Sequence, residues 1–274
     1  GPAASSAAQP PRGSGSATGD EVSDWQDSMG HHLDKNNLLT TFFNNGNTAE
    51  ADRMNDYADN LYMTDCHVFG MAEVQAEVMQ MLVNTGKYKA MKAPRTELAC
   101  FAHALYVKEI EVLATGVAER SKYAIFRIDW DGRVGGASEA VVAVFHLNYD
   151  EAKKGQAQGY HNMDNKMNAF FRDFSMDIVK WRARIVMGDG NMACFAVEEA
   201  FQAHKLTANI LAFHVEYVQK KDLDKKNDPL PTKEATQLKW DGCGIWSVGP
   251  IERIKMQGPA KHCLAAATWP LRVT

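Results

Sequence analysis

The stretch from Val141 to Asn191 constrains the fold more than any other part of the sequence. It opens with the apolar run VVAVF at residues 141–145, which is typical of a buried strand. An amphipathic helix is predicted next, over about residues 162–182, and a short strand over 185–187 then stops at Gly188. One broad face of that helix carries the apolar residues Met163, Met167, Phe170, Phe171, Phe174, Ile178 and Trp181. The order strand, helix, strand is typical of a sheet with a helix packed outside it.

Short strands outnumber helices along the rest of the chain. Strands are predicted near residues 38–43, 61–63, 98–107, 110–115, 123–130, 140–147, 244–248, 251–256 and 264–271. Further helices are predicted after Thr48, over about 71–83 and over about 195–204. Hairpins therefore mix with strand–helix–strand units, which indicates sheets packed together with helices outside.

Two segments differ in composition from the folded part. Residues 1–19 are almost entirely Gly, Pro, Ala, Ser and Thr, and such a segment cannot bury enough apolar surface to offset its ordering entropy. We therefore predict a disordered tail or linker over residues 1–28 and one folded domain over 29–274. Residues 219–239 are polar and rich in lysine, and two interpretations stay open: a solvated loop, or a flexible basic arm near a phosphate-bearing ligand.

Composition excludes two classes of protein. The chain has 30 Lys and Arg against 34 Asp and Glu, a formal net charge of -4, so any binding of nucleic acid must use a local basic patch. The longest strictly apolar run, residues 140–145, is far shorter than the roughly 20 residues of a membrane-spanning helix, so we expect no membrane association. With neither a secretory nor a lipidation signal, we expect an intracellular location, cytoplasmic or nuclear.

Candidate chemistry is concentrated in the tetrapeptide Gly188-Asp189-Gly190-Asn191, which follows a buried strand directly. An Asp at such a strand tip can accept a proton from an attacking water, and an Asn beside it can orient that water or a phosphate oxygen. The same tetrapeptide is also an ordinary turn sequence, so these residues alone leave both interpretations open.

Further polar residues follow other strands in an order that matches a known family. The chain resembles the endonuclease/exonuclease/phosphatase superfamily, whose members share the DNase-I-like fold. The family's landmarks are an Asn after the first strand, an acid after the second, a His or Tyr after a middle strand, Gly-Asp-x-Asn, a late Asp opening a strand, and a terminal Ser-Asp-His. The counterparts here are Asn44, Asp65, His146, Asp189 with Asn191, Asp241, and His262. The resemblance covers residues 38–274.

The resemblance implies an α/β fold, a four-layer α/β/β/α sandwich with two packed mixed β-sheets. It implies hydrolysis of a phosphodiester in a nucleic acid, with Mg²⁺ or Mn²⁺ held chiefly by Asp65. Asp189 is expected to position and deprotonate the water, with Asn191 beside it. Oligomeric state is left open.

The same resemblance assigns roles to the remaining landmarks. His262 and Asn44 are expected to bind the scissile phosphate oxygens, with His146 nearby. Asp241 is expected to support the metal or His262.

Three departures from the family pattern bear on activity. Asp65 stands where the family has Glu, Gly190 where it has a bulky apolar residue, and Lys261 where it has the Asp of Ser-Asp-His. Lys261 cannot accept a hydrogen bond from His262, so we expect weakened catalysis, and we expect a Phe at position 190 to restore packing. Two hypotheses therefore stay open: an active metal-dependent nuclease or phosphodiesterase, or a catalytically degraded member that acts as a binding module or is a mobile-element remnant.

Overall fold

The computed structural model describes residues 39–45, 66–148, 165–192, 194–217, 238–249, 252–260 and 263–269. The strands in these ranges are β1 (Leu39–Asn45), β2 (Val68–Ala72), β3 (Tyr88–Lys92), β4 (Ala99–His103), β5 (Val107–Ala118), β6 (Ser121–Val134), β7 (Ala137–His146), β8 (Ile185–Asp189), β9 (Ala208–Tyr217), β10 (Leu238–Val248), β11 (Glu252–Ala260) and β12 (Cys263–Trp269). The helices are α1 (Ala76–Asn84), α2 (Asn165–Trp181) and α3 (Cys194–Ala203).

The strands form two six-stranded mixed sheets. The first sheet has the order β11-β12-β1-β2-β4-β3, and the second has the order β5-β6-β7-β8-β10-β9. Each sheet contains one parallel pair, β1 with β2 and β7 with β8, and its other neighbouring strands are antiparallel. Because both strands of a parallel pair end at the same edge, each sheet presents two adjacent carboxyl ends there.

Side chains along β7 point alternately to the two faces of the second sheet, and this alternation explains the four layers. Val142 and Val144 pack in the core between the two sheets, whereas Val141, Ala143 and Phe145 pack in the core beneath α2 and α3. A strand buried on both faces must be apolar throughout, which is the pattern of residues 141–145. α1 packs in a third core on the outer face of the first sheet. The α/β/β/α sandwich expected from the resemblance is confirmed.

The amphipathic helix predicted over 162–182 is α2, and its apolar stripe is core. The buried residues of that stripe are Met167, Phe170, Phe171, Phe174 and Ile178. The opposite face carries Arg172, Asp173 and Lys180 and leaves Met176 64% exposed. Of the helices in the described ranges, none has both the length and the apolar character that crossing a bilayer requires.

Some element boundaries differ from the sequence predictions. The helix predicted over 71–83 begins only at Ala76, because residues 71 and 72 complete β2. A strand buried on both faces and the first turn of an apolar helix look alike in sequence, so this boundary was wrong. The segment predicted as one strand over 98–107 is divided between β4 and β5, and β3 and β9 were not predicted. The predicted tail, the helix after Thr48 and the strand at 61–63 lie outside the described residues.

Truncation of Phe174 tests the packing of α2. Its ring is fully buried and lies 4.5 Å from the Tyr123 ring and 5.6 Å from the Phe201 ring, between centroids. Phe174→Ala should lower the free energy of unfolding by about 3–5 kcal/mol, measured by urea titration. The control Met176→Ala, on the exposed face, should change it by less than about 0.5 kcal/mol. Equal effects of the two variants would contradict the packing described.

Candidate active site

The candidate site lies where the carboxyl ends of the two parallel strand pairs meet. β1 ends at Asn45 and β8 ends at Asp189, in different sheets. The Asn45 amide donates from Nδ2 to Asp189 Oδ2 over 2.5 Å, so these ends face each other. Side chains from both sheets therefore converge at one end of the sandwich.

Asp189 is a buried carboxylate with both oxygens engaged. Asp189 is only 3% exposed to solvent. Oδ2 accepts the bond from Asn45, and Oδ1 accepts the backbone N–H of Asn191 at 2.8 Å. An ionised carboxylate only accepts hydrogen bonds, so both of these bonds stabilise the form of Asp189 that can take a proton.

The turn after β8 is held closely against β10. Asn191 has a φ of 47° and donates from its side-chain Nδ2 to the Leu147 carbonyl at 2.6 Å. The Gly190 N–H donates to the Gly242 carbonyl at 2.8 Å. Gly242 has a φ of 80°, and a Cβ there would lie 2.6 Å from the Asn191 nitrogen, so only glycine fits. These contacts fix the position of Asp189 and Asn191 relative to β10.

Glu73 is the acid that directly follows the strand parallel to β1. Its Oε1 atom lies 3.4 Å from Asn45 Nδ2 and 3.2 Å from His146 Nε2. Its φ is 51°, a left-handed conformation that costs a residue other than glycine on the order of 1 kcal/mol. The exposed Glu119 has a similar φ of 54°, so it is the contacts with Asn45 and His146 that make Glu73 a candidate functional residue.

His146 lies between two carboxylates. Its Nε2 faces Glu73 Oε1 at 3.2 Å and its Nδ1 faces Glu97 Oε1 at 3.4 Å. Burial opposes the charged ring, but the hydrogen bond with Glu97 and the charges of Asp189, Glu73 and Glu97 together raise the pKa of His146 above its usual value. The arrangement favours an imidazolium that donates from both nitrogens.

Glu97 carries a second partner, Lys122, in addition to His146. Lys122 donates from Nζ to Glu97 Oε2. The hydrogen bond from His146 has the largest effect on the pKa of Glu97 and lowers it. Burial raises this pKa, and Lys122 lowers it further. The pKa of Glu97 is thereby lowered from 4.5 to about 2. Glu97 is therefore ionised at neutral pH.

The structure brings together three of the residues expected from the sequence: His146, Asp189 and Asn191. Asn44 lies on β1 opposite Cys263, next to Asn45, and Asp241 lies on β10 next to Gly242, but the described contacts do not include their side chains. Asp65, Lys261 and His262 lie outside the described residues, so their roles stay predictions.

Three residues of the site were not anticipated from the sequence: Asn45, Glu73 and Glu97. Glu73 had a readable signal, since it follows the apolar run FGMA at residues 69–72. Asn45 was one of two consecutive asparagines, and nothing in the sequence distinguished them. Glu97 lies in a turn between β3 and β4 and has no local signal of function.

The donor chemistry at this end of the sandwich suits Mg²⁺. Among the residues that the structure describes, no group of three or more His, Cys, Asp or Glu side chains has the geometry of a metal centre. Mg²⁺ does not need such a group, because it is usually held by one or two carboxylates together with waters and substrate phosphates. Glu73 offers a partly exposed carboxylate, and an oxygen donor of this kind fits the ion, whereas Asn45 presents its Nδ2 group to Glu73.

Comparison with solved structures gives the fold. An endonuclease/exonuclease/phosphatase family protein from Bacteroides thetaiotaomicron matches with a TM-score of 0.55 and 11% identity, over 85% of this chain and 98% of that one. D. rerio TDP2 humanized by 14 mutations matches with a TM-score of 0.54 and 11% identity, over 85% and 99%. The human Nocturnin catalytic domain with bound sulfate matches with a TM-score of 0.51 and 12% identity, over 84% and 93%.

The chain therefore has the endonuclease/exonuclease/phosphatase fold, that is, the DNase-I-like fold. No family model matches the sequence, and no curated protein matches it at a significant level. At such low identity the structural likeness establishes the fold and leaves the function to the site.

Substitution of Gly190 tests how closely the turn is packed. A Cβ at this position would lie 2.8 Å from Val197 Cγ2, and β-branched side chains in helices have little freedom to move away. The sequence-based expectation that Gly190→Phe restores packing is therefore contradicted. Gly190→Ala should lower the free energy of unfolding by about 1–3 kcal/mol and Gly190→Phe by more, measured by urea titration.

Val197→Ala supplies the control for this substitution, because it removes the crowding methyl groups. In the Val197→Ala background, Gly190→Ala should cost less than it does in the wild-type chain. If Gly190→Ala lowers the free energy of unfolding equally in both backgrounds, contact with Val197 is not the cause of the destabilisation.

The ionisation of Glu97 should be visible in the pH dependence of stability. A carboxyl whose pKa is lowered on folding stabilises the folded state above its unfolded pKa of about 4.5, and that contribution is lost as pH falls toward 2. Glu97→Gln should therefore flatten the loss of stability between pH 5 and pH 2, measured by urea titration. Glu119→Gln, which removes an exposed carboxylate paired with Lys166, should leave the wild-type slope. A wild-type slope in Glu97→Gln would contradict the ionisation described.

Proposed function

We propose that the chain is a divalent-metal-dependent phosphodiesterase that cleaves nucleic acid. The observation that carries the proposal is the convergence of Asn45, Glu73, His146 and Asp189 from both sheets at one end of the sandwich. A base, a cationic donor and an oxygen-rich cation site are the groups that hydrolysis of a phosphodiester requires. The structural likeness to the endonuclease/exonuclease/phosphatase family protein from Bacteroides thetaiotaomicron supports the proposal.

Asp189 is the proposed general base. The two hydrogen bonds that it accepts favour an ionised carboxylate, and a base must be ionised before it can take a proton from water. Its burial excludes bulk solvent from the proton that it accepts.

His146 is the proposed donor to the scissile phosphate through its Nε2–H, which would exchange Glu73 for a phosphate oxygen while the Nδ1–H stays on Glu97. The neighbouring carboxylates favour a positively charged ring, and a charged donor binds a phosphate oxygen more strongly than a neutral one. Glu73 is the proposed metal ligand. A bound Mg²⁺ or Mn²⁺ supplies neutralisation of charge that develops on the phosphoryl group.

Nucleic acid is the proposed substrate because exposed basic side chains surround this end of the sandwich. Lys92 ends β3, Arg95 lies in the turn before β4, and Arg120 lies in the turn before β6. Strand directions and the contact between Glu97 and His146 bring both of these turns to the same end as His146. They form the local basic patch that an acidic chain needs to bind a polyanion.

Cleavage of plasmid and of a labelled oligonucleotide tests the proposal. The wild-type chain should cleave with Mg²⁺ and not with EDTA, and Asp189→Asn should reduce the rate by about 10²-fold or more. Mg²⁺ should also raise the melting temperature, because a ligand that binds only the folded state stabilises it. Glu73→Gln should abolish that increase in melting temperature. Loss of the increase in Asp65→Asn instead would show that Asp65, the metal ligand expected from the sequence, is the correct one.

Glu119→Gln serves as the matched control, since it removes a carboxylate at the same end that contacts neither His146 nor Asp189. Rates unaffected by Asp189→Asn would contradict the assigned base. Stabilisation by Mg²⁺ with no cleavage, restored by Lys261→Asp, would instead support the catalytically degraded alternative.

A further inference from the structure

Lys122 has no place in the proposed reaction, yet its position is tied to His146 by the sheet itself. The two residues are directly opposite partners in the antiparallel pairing of β6 and β7. Directly opposite residues share one face of a sheet, with Cβ atoms about 5 Å apart. Their side chains therefore leave the second sheet side by side.

Both side chains end on one carboxylate of the first sheet. His146 Nδ1 lies 3.4 Å from Glu97 Oε1, and Lys122 Nζ donates to Glu97 Oε2. Each oxygen of Glu97 thus has its own donor. A carboxylate held at a single oxygen can rotate about its last torsion, whose energy profile is broad, but two donors on different oxygens fix the plane of the group.

The backbone of Glu97 is fixed as well. Its carbonyl accepts the N–H of Val74 at 3.1 Å, so the turn that carries Glu97 is joined to the residue that follows Glu73. Glu73 in turn faces the other ring nitrogen of His146 at 3.2 Å. The imidazole therefore lies between two carboxylates whose backbones are held in place. The Glu97 carboxylate could still rotate about its last torsion, and the bond from Lys122 prevents that rotation.

Stability alone does not account for this arrangement. The side chains of Lys122 and Glu97 are each about a quarter exposed, and ion pairs near the surface contribute little to stability. The pair Lys166 with Glu119, at the same end of the sandwich, is an exposed ion pair. It provides the natural comparison.

We infer that Lys122 is a positioning residue: it holds the Glu97 carboxylate in the orientation that accepts the Nδ1–H of His146, and so fixes the imidazole for the reaction. The inference rests on the proposed function for its catalytic consequence. Its structural part, the fixed hydrogen bond between His146 and Glu97, is independent of any activity.

The structural part is tested by NMR of the ¹⁵N-labelled full chain. The Nδ1–H proton of His146 should give a downfield resonance, assigned by its loss in His146→Asn. It should persist in Lys122→Arg and in the control Lys166→Met, and it should be broadened or lost in Lys122→Met and in Glu97→Gln. An unchanged resonance in Lys122→Met, or no such resonance in the wild-type chain, would overturn the inference.

Backbone amide spectra show which variants fold. If Lys122→Met does not fold, Lys122→Gln takes its place, with the same expectation for the resonance. Retention of the His146 signal in that variant would count equally against the inference.

The catalytic part is tested by the kinetics of Mg²⁺-dependent oligonucleotide cleavage. Lys122→Met should lower kcat by about 10-fold or more with little change in KM, as expected for an outer partner that orients a site group, and Lys122→Arg should restore most of the rate. In the Glu97→Gln background, Lys122→Met should change kcat by no more than about twofold, because Lys122 acts through Glu97. Additive effects would overturn the inference and indicate direct contact with substrate.

Failure of the two proposals can be distinguished. A wild-type chain that cleaves nothing while its His146 resonance responds as expected would contradict the proposed function alone. Normal cleavage by Lys122→Met would contradict the positioning role alone.

Discussion

The burial of the Asp189 carboxylate imposes conditions on the whole end of the sandwich. Removing an ionised carboxylate from water is unfavourable by many kcal/mol unless hydrogen bonds replace the lost hydration. The replacements come from Asn45 in the opposite sheet and from the backbone of Asn191. The two sheets must therefore be placed relative to each other to within the tolerance of a hydrogen bond. The same requirement explains why Gly190 and Gly242 lie against each other, since side chains there would displace the turn.

Two residues of the site adopt backbone conformations that are unfavourable for most residue types. Glu73 and Asn191 both have left-handed φ values, of 51° and 47°, although neither is glycine. Asparagine tolerates this conformation well, but glutamate does not, so local preference cannot account for Glu73. The conformation persists because the fully buried β2 precedes Glu73 and the buried Val74 follows it, and together they over-determine the backbone between them. Packing energy in the sandwich thus maintains a carboxylate in a position that the local sequence disfavours.

The fold and part of the site follow from local patterns, and the rest depends on contacts distant in sequence. His146 and Asp189 were predictable because each directly follows a buried run of apolar residues and glycine. Glu73 was missed because the apolar spacing of its strand continues into the following helix, which hides the boundary. Asn45 follows another asparagine, and a shift of one residue in register exchanges the two faces of a strand, so local sequence cannot choose between them. Glu97 meets His146 across 49 residues, and only the stacking of the two sheets brings them together.

Charge determines what this end of the sandwich can bind. Around the imidazole lie the three carboxylates of Glu73, Glu97 and Asp189, opposed by Lys122 and by His146 when it is protonated. These groups leave an excess of negative charge, and a phosphodiester is itself an anion. Repulsion between them is strong in a partly buried region, where the effective dielectric constant is low. An anionic substrate at Asp189 would gain from a further cation between them, and the Glu73 carboxylate offers such a cation an oxygen ligand. The divalent metal that we propose would therefore reduce the repulsion between the substrate and these carboxylates.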